Sequence, residues 1–259
     1  SVVGFSVFLF LSVSAIQQSV HAGEAAKPHA KAHAHWAYEG ESGPEHWGDL
    51  QEDFAACKTG VNQSPVDLAG PGKPFDGQLK FSYNESPLKI INNGHTIQVN
   101  YAPGSSLTIG DKRYNLAQFH FHTPSEHKAS GNPYDMEVHL VHKSDAGELA
   151  VVGVFMKKGQ NHEKLGNFWS FLPMTIGKEM ELKSLKVNAA DLLPKQQAFF
   201  HYPGSLTTPP CSEGVQWFVM KTPIEVSAEQ VEKFRKIVHN NARPVQPRHD
   251  RVLMDKSGS

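Results

Sequence analysis

Gln118-Phe119-His120-Phe121-His122 sets two imidazoles one residue apart, interleaved with aromatic side chains. In an extended strand alternate side chains share a face, so Gln118, His120 and His122 point one way and Phe119 and Phe121 the other. The aromatic face can bury in a core. The imidazole face loses hydration on burial unless something binds it. Two neutral imidazoles side by side suit Zn²⁺, a preference shared with copper, nickel and iron; the alternative is an ordinary surface pair of histidines. A third candidate sits in Met136-Glu137-Val138-His139-Leu140-Val141-His142. There Glu137, His139 and Val141 share a face, while His142 falls on the opposite one and is left out. Glu137 could accept the His139 ring N–H and fix its tautomer, and the Gln118 amide oxygen could do the same for His120. Three histidines with no fourth protein ligand describe a catalytic zinc site that keeps one position open for water. The competing reading of His139 is a hydrogen-bonded core residue.

These side chains need strands to hold them, and the chain supplies the pattern. From Phe81 onward, short β-prone runs at 89–91, 96–101, 106–109, 116–122, 136–142, 149–156 and 215–220 alternate with turn signals. The turns include Asn92-Asn93-Gly94, Pro103-Gly104 and Asp145-Ala146-Gly147. Regular spacing of this kind predicts a β-dominated sheet protein. Helical periodicity is confined to 162–171 and 228–238; in the second, Val231, Phe234 and Val238 recur at helix spacing behind Ser227 as N-cap. No repeat or Pro/Ser-rich linker interrupts 36–255, which reads as a single domain followed by a short tail, 256–259.

Composition narrows the function. The 259 residues carry 25 Lys+Arg against 26 Asp+Glu, a formal net charge of −1, with 39% hydrophobic residues. This is a globular composition without the basic surface that a nucleic-acid partner requires. No apolar run in the mature chain is long enough to span a bilayer. There are 15 His but only 2 Cys, too few for a four-thiolate zinc site. Residues 1–22 read as an export signal lacking its basic front, ending in the small-residue cleavage site Val20-His21-Ala22, the alternative being an uncleaved membrane anchor, for which the stretch is short. Residues 23–35 form a His/Ala-rich flexible leader whose His29, His33 and His35 could capture metal weakly or serve only as a solvated linker. Export, to the periplasm or the medium, implies an oxidising compartment in which Cys57 and Cys211 pair, two buried free thiols being the alternative.

Several stretches together resemble the α-class carbonic anhydrases, exported bacterial members in particular. They include His35-Trp36-Ala37-Tyr38, Gly43-Pro44-Glu45-His46-Trp47, Asn62-Gln63-Ser64-Pro65-Val66-Asp67 and Asn92-Asn93-Gly94-His95. Gln118 through His127, Glu137 through Val141, Tyr202 through Pro210 and Arg243-Pro244-Val245-Gln246-Pro247 extend the match over about 36 to 252. The resemblance implies a large, mixed but mostly antiparallel twisted central sheet with a few short peripheral helices. It implies zinc on His120, His122 and His139, with Gln118 and Glu137 behind them. Glu126 and Thr207 match the family's carboxylate–hydroxyl pair, and Val141, Val151, Leu206 and Trp217 its apolar substrate wall, with Thr208 beside it. His95 matches the proton shuttle, which on the residues alone could equally be an exposed turn histidine. Tyr38 and Asn93 match an ordered-water network, and Cys57 and Cys211 the positions bridged in exported members. A homodimer is suggested by the same relatives. Asn241 and Arg243 read as structural support.

The implied activity is reversible hydration of CO₂ to bicarbonate and a proton, with ester hydrolysis as a side activity. Carbonic anhydrases are known to lower the pKa of a zinc-bound water to about 7. An ionised Glu126 must accept the Thr207 hydroxyl proton, so Thr207 can only accept from the nucleophile, which orients it. A histidine with an ordinary pKa near 6.5 can carry the released proton to buffer. Two rival readings are a cupin-type metal site, from the spacing His120-x-His122-x₃-Glu126, and a non-enzymatic module, either a zinc store, from the His-rich leader, or an interaction domain on a decayed carbonic anhydrase fold.

Overall fold

Apolar and polar residues alternating along the strands become the two faces of one sheet. A computed structural model of the chain describes residues 34–257. The expected export signal at 1–22, the leader as far as His33, and Gly258 and Ser259 of the expected tail lie outside the described residues. The strands in chain order are β1 (Lys73–Pro74), β2 (Leu79–Ser82), β3 (Ser86–Asn92), β4 (Ile97–Asn100), β5 (Ser106–Ile109), β6 (Lys112–His122) and β7 (Lys128–Ala129). They continue with β8 (Asn132–Pro133), β9 (Met136–Lys143), β10 (Leu149–Lys158), β11 (Met180–Val187), β12 (Phe199–Ser205), β13 (Glu213–Val226) and β14 (Met254–Lys256). The α-helices are α1 (Trp47–Leu50), α2 (Ala56–Thr59), α3 (Glu163–Trp169) and α4 (Ala228–Val238).

One sheet runs β1-β14-β12-β13-β10-β9-β6-β4-β3-β11, with β5 pairing both β6 and β2, while β7 and β8 pair separately. Its pairings are antiparallel except β10 with β13 and β1 with β14. The β-dominated, mostly antiparallel class expected from the turn spacing is the one found, and each expected strand lies within or overlaps an observed one.

Strand register sets residues in rows across the sheet. One row reads Gln98, His120, His139, Gly153, Val219. The next reads Asn100, Gln118, Val141, Val151, Trp217, Tyr202, and a third His122, Glu137, Phe155. Rows two residues apart share a face, so the histidines and the Val–Val–Trp wall lie on the same side. The intervening row, Phe119, Leu140, Val152, Phe218, faces the other way and is fully buried. It belongs to the main core, which α3 and α4 close with Leu165, Phe168, Trp169, Val231 and Phe234. Each such side chain removed from water contributes about 1.5–3 kcal/mol, so this apolar face anchors the strands that carry the histidines.

Helix α4 spans the expected 228–238 and begins with a capping box, Ser227 accepting from the Gln230 N–H while the Gln230 side chain accepts from the Ser227 N–H. Strand β12 escaped the sequence reading because Pro203 argues against an interior strand. Here β14 pairs only with Phe199–His201, so the β14-facing edge is unpaired at Pro203. The N-terminal segment packs as a smaller cluster of Trp47, Phe54 and the Cys57–Cys211 disulfide, with Trp36 and Tyr38 against it.

Candidate metal centre and active site

His120, His122 and His139 bring three ring nitrogens within 4.8 Å of one another, a set that could hold a metal ion. Hydrogen bonds decide which nitrogen each ring offers. His120 Nδ1 lies 2.8 Å from Gln118 Oε1, His122 Nδ1 2.8 Å from the Asn241 carbonyl, and His139 Nε2 3.0 Å from Glu137 Oε1. Each of these acceptors takes a ring N–H, so the lone pairs sit on His120 Nε2, His122 Nε2 and His139 Nδ1. His122 Nε2 is buried with no hydrogen-bond partner. An orphaned buried lone pair is costly unless a cation takes it. Burial, followed by the charges of its neighbours, holds His120 well below the usual histidine range, and burial also lowers His122 against the pull of Glu126. Both rings are thus neutral at pH 7, as metal ligation requires.

Glu137 is the best-satisfied group of the site. Its Oε1 accepts from His139 at 3.0 Å and from His127 Nδ1 at 2.8 Å, and its Oε2 from the backbone N–H groups of Glu126 and His127 at 3.0 and 2.9 Å. Burial would raise its carboxyl, but His127 and His139 outweigh this and hold it well below the usual carboxylate range. His127 Nε2 meets the Tyr202 hydroxyl at 2.6 Å, which meets Ser64 Oγ at 2.9 Å. Gly153, opposite His139 in the sheet, makes room for this carboxylate: a Cβ there would stand 2.7 Å from Glu137 Oε1.

Glu126 lies fully buried beside the ligands, its Oε1 accepting the Arg243 backbone N–H at 2.9 Å and its Oε2 left without a hydrogen-bond partner. Thr207 is buried in the loop after β12, which is closed by Leu206 N–H to Ser212 and Cys211 N–H to Thr208, at 2.9 and 2.8 Å. Val141, Val151, Leu206 and Trp217 fall in one apolar cluster, and the Trp217 ring lies 4.8 Å from that of His139. Thr208 is half-buried in the same loop as Leu206.

His95 is half-buried and stacks on Trp36, ring centroids 3.6 Å apart and planes 7° apart. Burial lowers its pKa, and the charge of His35 lowers it further. The Asn93 side-chain oxygen accepts from the backbone of both His95 and Thr96 at 2.9 Å, so it is spent on the turn. The Tyr38 hydroxyl is pushed well up by burial and then by the charge of Glu126. His142, on the opposite face, donates to the Ala150 carbonyl at 3.2 Å and meets Tyr83 at 2.7 Å.

Sequence reasoning did not single out His127, which lies beyond the end of β6 where no alternation assigns a face. Nor did it single out Asn241 as the partner of His122, because a backbone carbonyl carries no residue signature. A match of residues 42–257 to the eukaryotic-type carbonic anhydrase family model accords with this arrangement. The chain is 46% identical over 225 residues to a carbonic anhydrase of Nostoc sp., covering 85% of each chain. It is 42% identical over 229 residues to one of Neisseria gonorrhoeae, covering 86% of this chain and 88% of the relative. The solved α-carbonic anhydrase of Thermovibrio ammonificans, in complex with sulfanilamide, superposes with a TM-score of 0.83 at 42% identity, covering 86% of this chain and all of that one.

Proposed function

Since the chain belongs to the eukaryotic-type carbonic anhydrase family, we propose that it hydrates CO₂ reversibly to bicarbonate and a proton, with Zn²⁺ held by His120, His122 and His139. The observation that carries the metal reading is the convergence of three lone-pair nitrogens, one of them buried and orphaned. A zinc ion held there supplies Lewis acidity and a nucleophile drawn from water near neutral pH. Gln118, Asn241 and Glu137 hold the tautomers that aim the lone pairs inward. Glu126 as a carboxylate only accepts, and its Oε2, which no hydrogen bond occupies in this structure, is the oxygen left to take the Thr207 hydroxyl proton when the pair forms. Thr207 then accepts from the attacking water and turns its lone pair toward the substrate, an orientation made before reaction. CO₂, uncharged and weakly hydrogen-bonding, lies on the wall of Val141, Val151, Leu206 and Trp217, with Thr208 at its edge. His95 carries the released proton outward. Tyr38 and Asn93 order water along that path, Asn93 through its side-chain N–H groups, while its oxygen holds the turn that bears His95. Activated esters are minor substrates of the same site.

The domain at 36–255 works outside the cytoplasm, in the periplasm or the medium, after the signal at 1–22 is removed and with 23–35 as leader; the Cys57–Cys211 disulfide supports export. Stopped-flow CO₂ hydration before zinc removal, after it and after zinc return tests the assignment. Activity that vanishes and returns with one zinc per chain supports it. A folded chain holding one zinc without hydration overturns it.

A further inference from the structure

Arg243, whose backbone N–H donates to Glu126, meets Gln63 through its side chain. The Arg243 guanidinium is buried and donates to three neutral acceptors: Gln63 Oε1 at 2.9 Å, the Ser64 carbonyl at 2.8 Å and the Cys57 carbonyl at 3.0 Å. A buried cation on neutral acceptors is costly, and burial pulls its pKa down to about 10. Its own backbone N–H is the donor to Glu126 Oε1. The other end of Gln63 faces the opposite way. Its Nε2 donates to the Cys211 carbonyl at 3.0 Å and to Glu213 Oε1 at 3.1 Å, and Glu213 Oε1 also accepts the Asn62 N–H at 2.7 Å. Cys211 closes the loop that carries Thr207. The glycine at 60 leaves room for this junction: a Cβ there would stand 2.4 Å from Gln63 Nε2 and 2.6 Å from Glu213 Oε1.

We propose that Gln63, clamped by Arg243, is a positioning residue that sets the spacing of Glu126 and Thr207. One end of the strut reaches the segment whose N–H selects the Glu126 oxygen left for Thr207. The other end reaches the loop on which Thr207 rides. The inference rests on the assigned roles of Glu126 and Thr207.

Gln63→Glu separates the two ends. The new carboxylate still accepts from Arg243, but it cannot donate to Cys211 and it repels Glu213. The expected loss in kcat/KM for CO₂ hydration, per zinc-loaded site, is about tenfold, short of the hundredfold that a 1 Å misplacement can cost. Glu213→Gln added to Gln63→Glu restores a donor–acceptor pair with position 213, two residues beyond Cys211, but not the donation to the Cys211 carbonyl, so it is expected to recover part of the lost activity, to within about threefold of the parent, an effect of a hydrogen bond to a charged group. Amide hydrogen exchange at Leu206 and Cys211 is expected to speed up in Gln63→Glu with and without zinc, and to slow again in the double variant. Gly60→Ala, which crowds the strut without changing its members and also presses on the Ala56 carbonyl 2.6 Å from the added Cβ, should act like Gln63→Glu at Leu206 and Cys211. Parental kcat/KM per zinc site, or parental exchange at Leu206 and Cys211, in Gln63→Glu and Gly60→Ala overturns the strut. If Thr207→Ala leaves hydration intact, the reading of the pair fails instead, and the exchange data still judge the strut.

Discussion

Gly153→Ala tests how the sheet supports the metal ligands. Gly153 does not adopt a left-handed backbone, so its role is space. An added Cβ would stand 2.7 Å from Glu137 Oε1 and 3.5 Å from Val219 Cγ2. Retreat is blocked, because that carboxylate accepts from two rings and two backbone N–H groups at 2.8 to 3.0 Å. The backbone cannot yield either, since β10 is paired on both sides, with β9 and β13. Overpacking of this kind costs about 1–3 kcal/mol, and a stretched or lost bond from His127 or His139 leaves a buried polar group at a further cost of about 1–3 kcal/mol. Disturbing a partner of a metal-bound histidine lowers metal affinity about 10- to 100-fold. Zinc affinity by chelator competition should therefore fall by that range, and denaturant unfolding of the zinc-free protein should show a loss of about 2–6 kcal/mol from the two costs together. Zinc affinity within twofold of the parent, with unchanged unfolding free energy, would refute the claim that Glu137 is held by the space at Gly153.

Other expectations follow from the same contacts. His95→Ala should slow turnover in weak buffer and recover on adding imidazole, while His35→Ala should raise the His95 pKa and move the lower inflection of the kcat–pH profile upward, because burial and the charge of His35 hold it down. His142 is buried with its pKa lowered from 6.5 to about 4 by desolvation. The unfolded chain therefore binds the extra proton first, so this contribution is complete above pH 6.5 and is lost as pH falls toward 4. The loss is about 3 kcal/mol at about 1.4 kcal/mol per pKa unit, read as the difference in unfolding free energy between the parent and His142→Gln across that window. Opening the Cys57–Cys211 bond, which joins residues 154 apart, should cost about 5 kcal/mol in the chain-entropy account, measured by unfolding the Cys57→Ser/Cys211→Ser variant.

The β class, the main strands and helix α4 were legible in the sequence because their signals are local. Period-two alternation is a property of one strand, so it reports that His120 and His122 share a face without knowing what lies across from them. Ser227 and Gln230 cap α4 from within four residues of sequence. Strand β12 was hidden because its Pro203 is tolerated only where β14 has already stopped pairing, a fact about a neighbour. The nitrogen that each histidine offers depends on partners chosen by register and chain return. His139 finds Glu137 two residues away, within reach of sequence reasoning, but His122 finds a carbonyl 119 residues distant. Gln63 and Arg243, 180 residues apart, likewise meet only when the N-terminal loop and the C-terminal segment pack together. The residue types for metal chemistry were thus set by sequence and strand periodicity. The tautomers, the orphaned lone pair and the strut behind Glu126 were decided by long-range backbone placement, because a hydrogen bond to a carbonyl depends on where the chain goes and not on which side chain it carries.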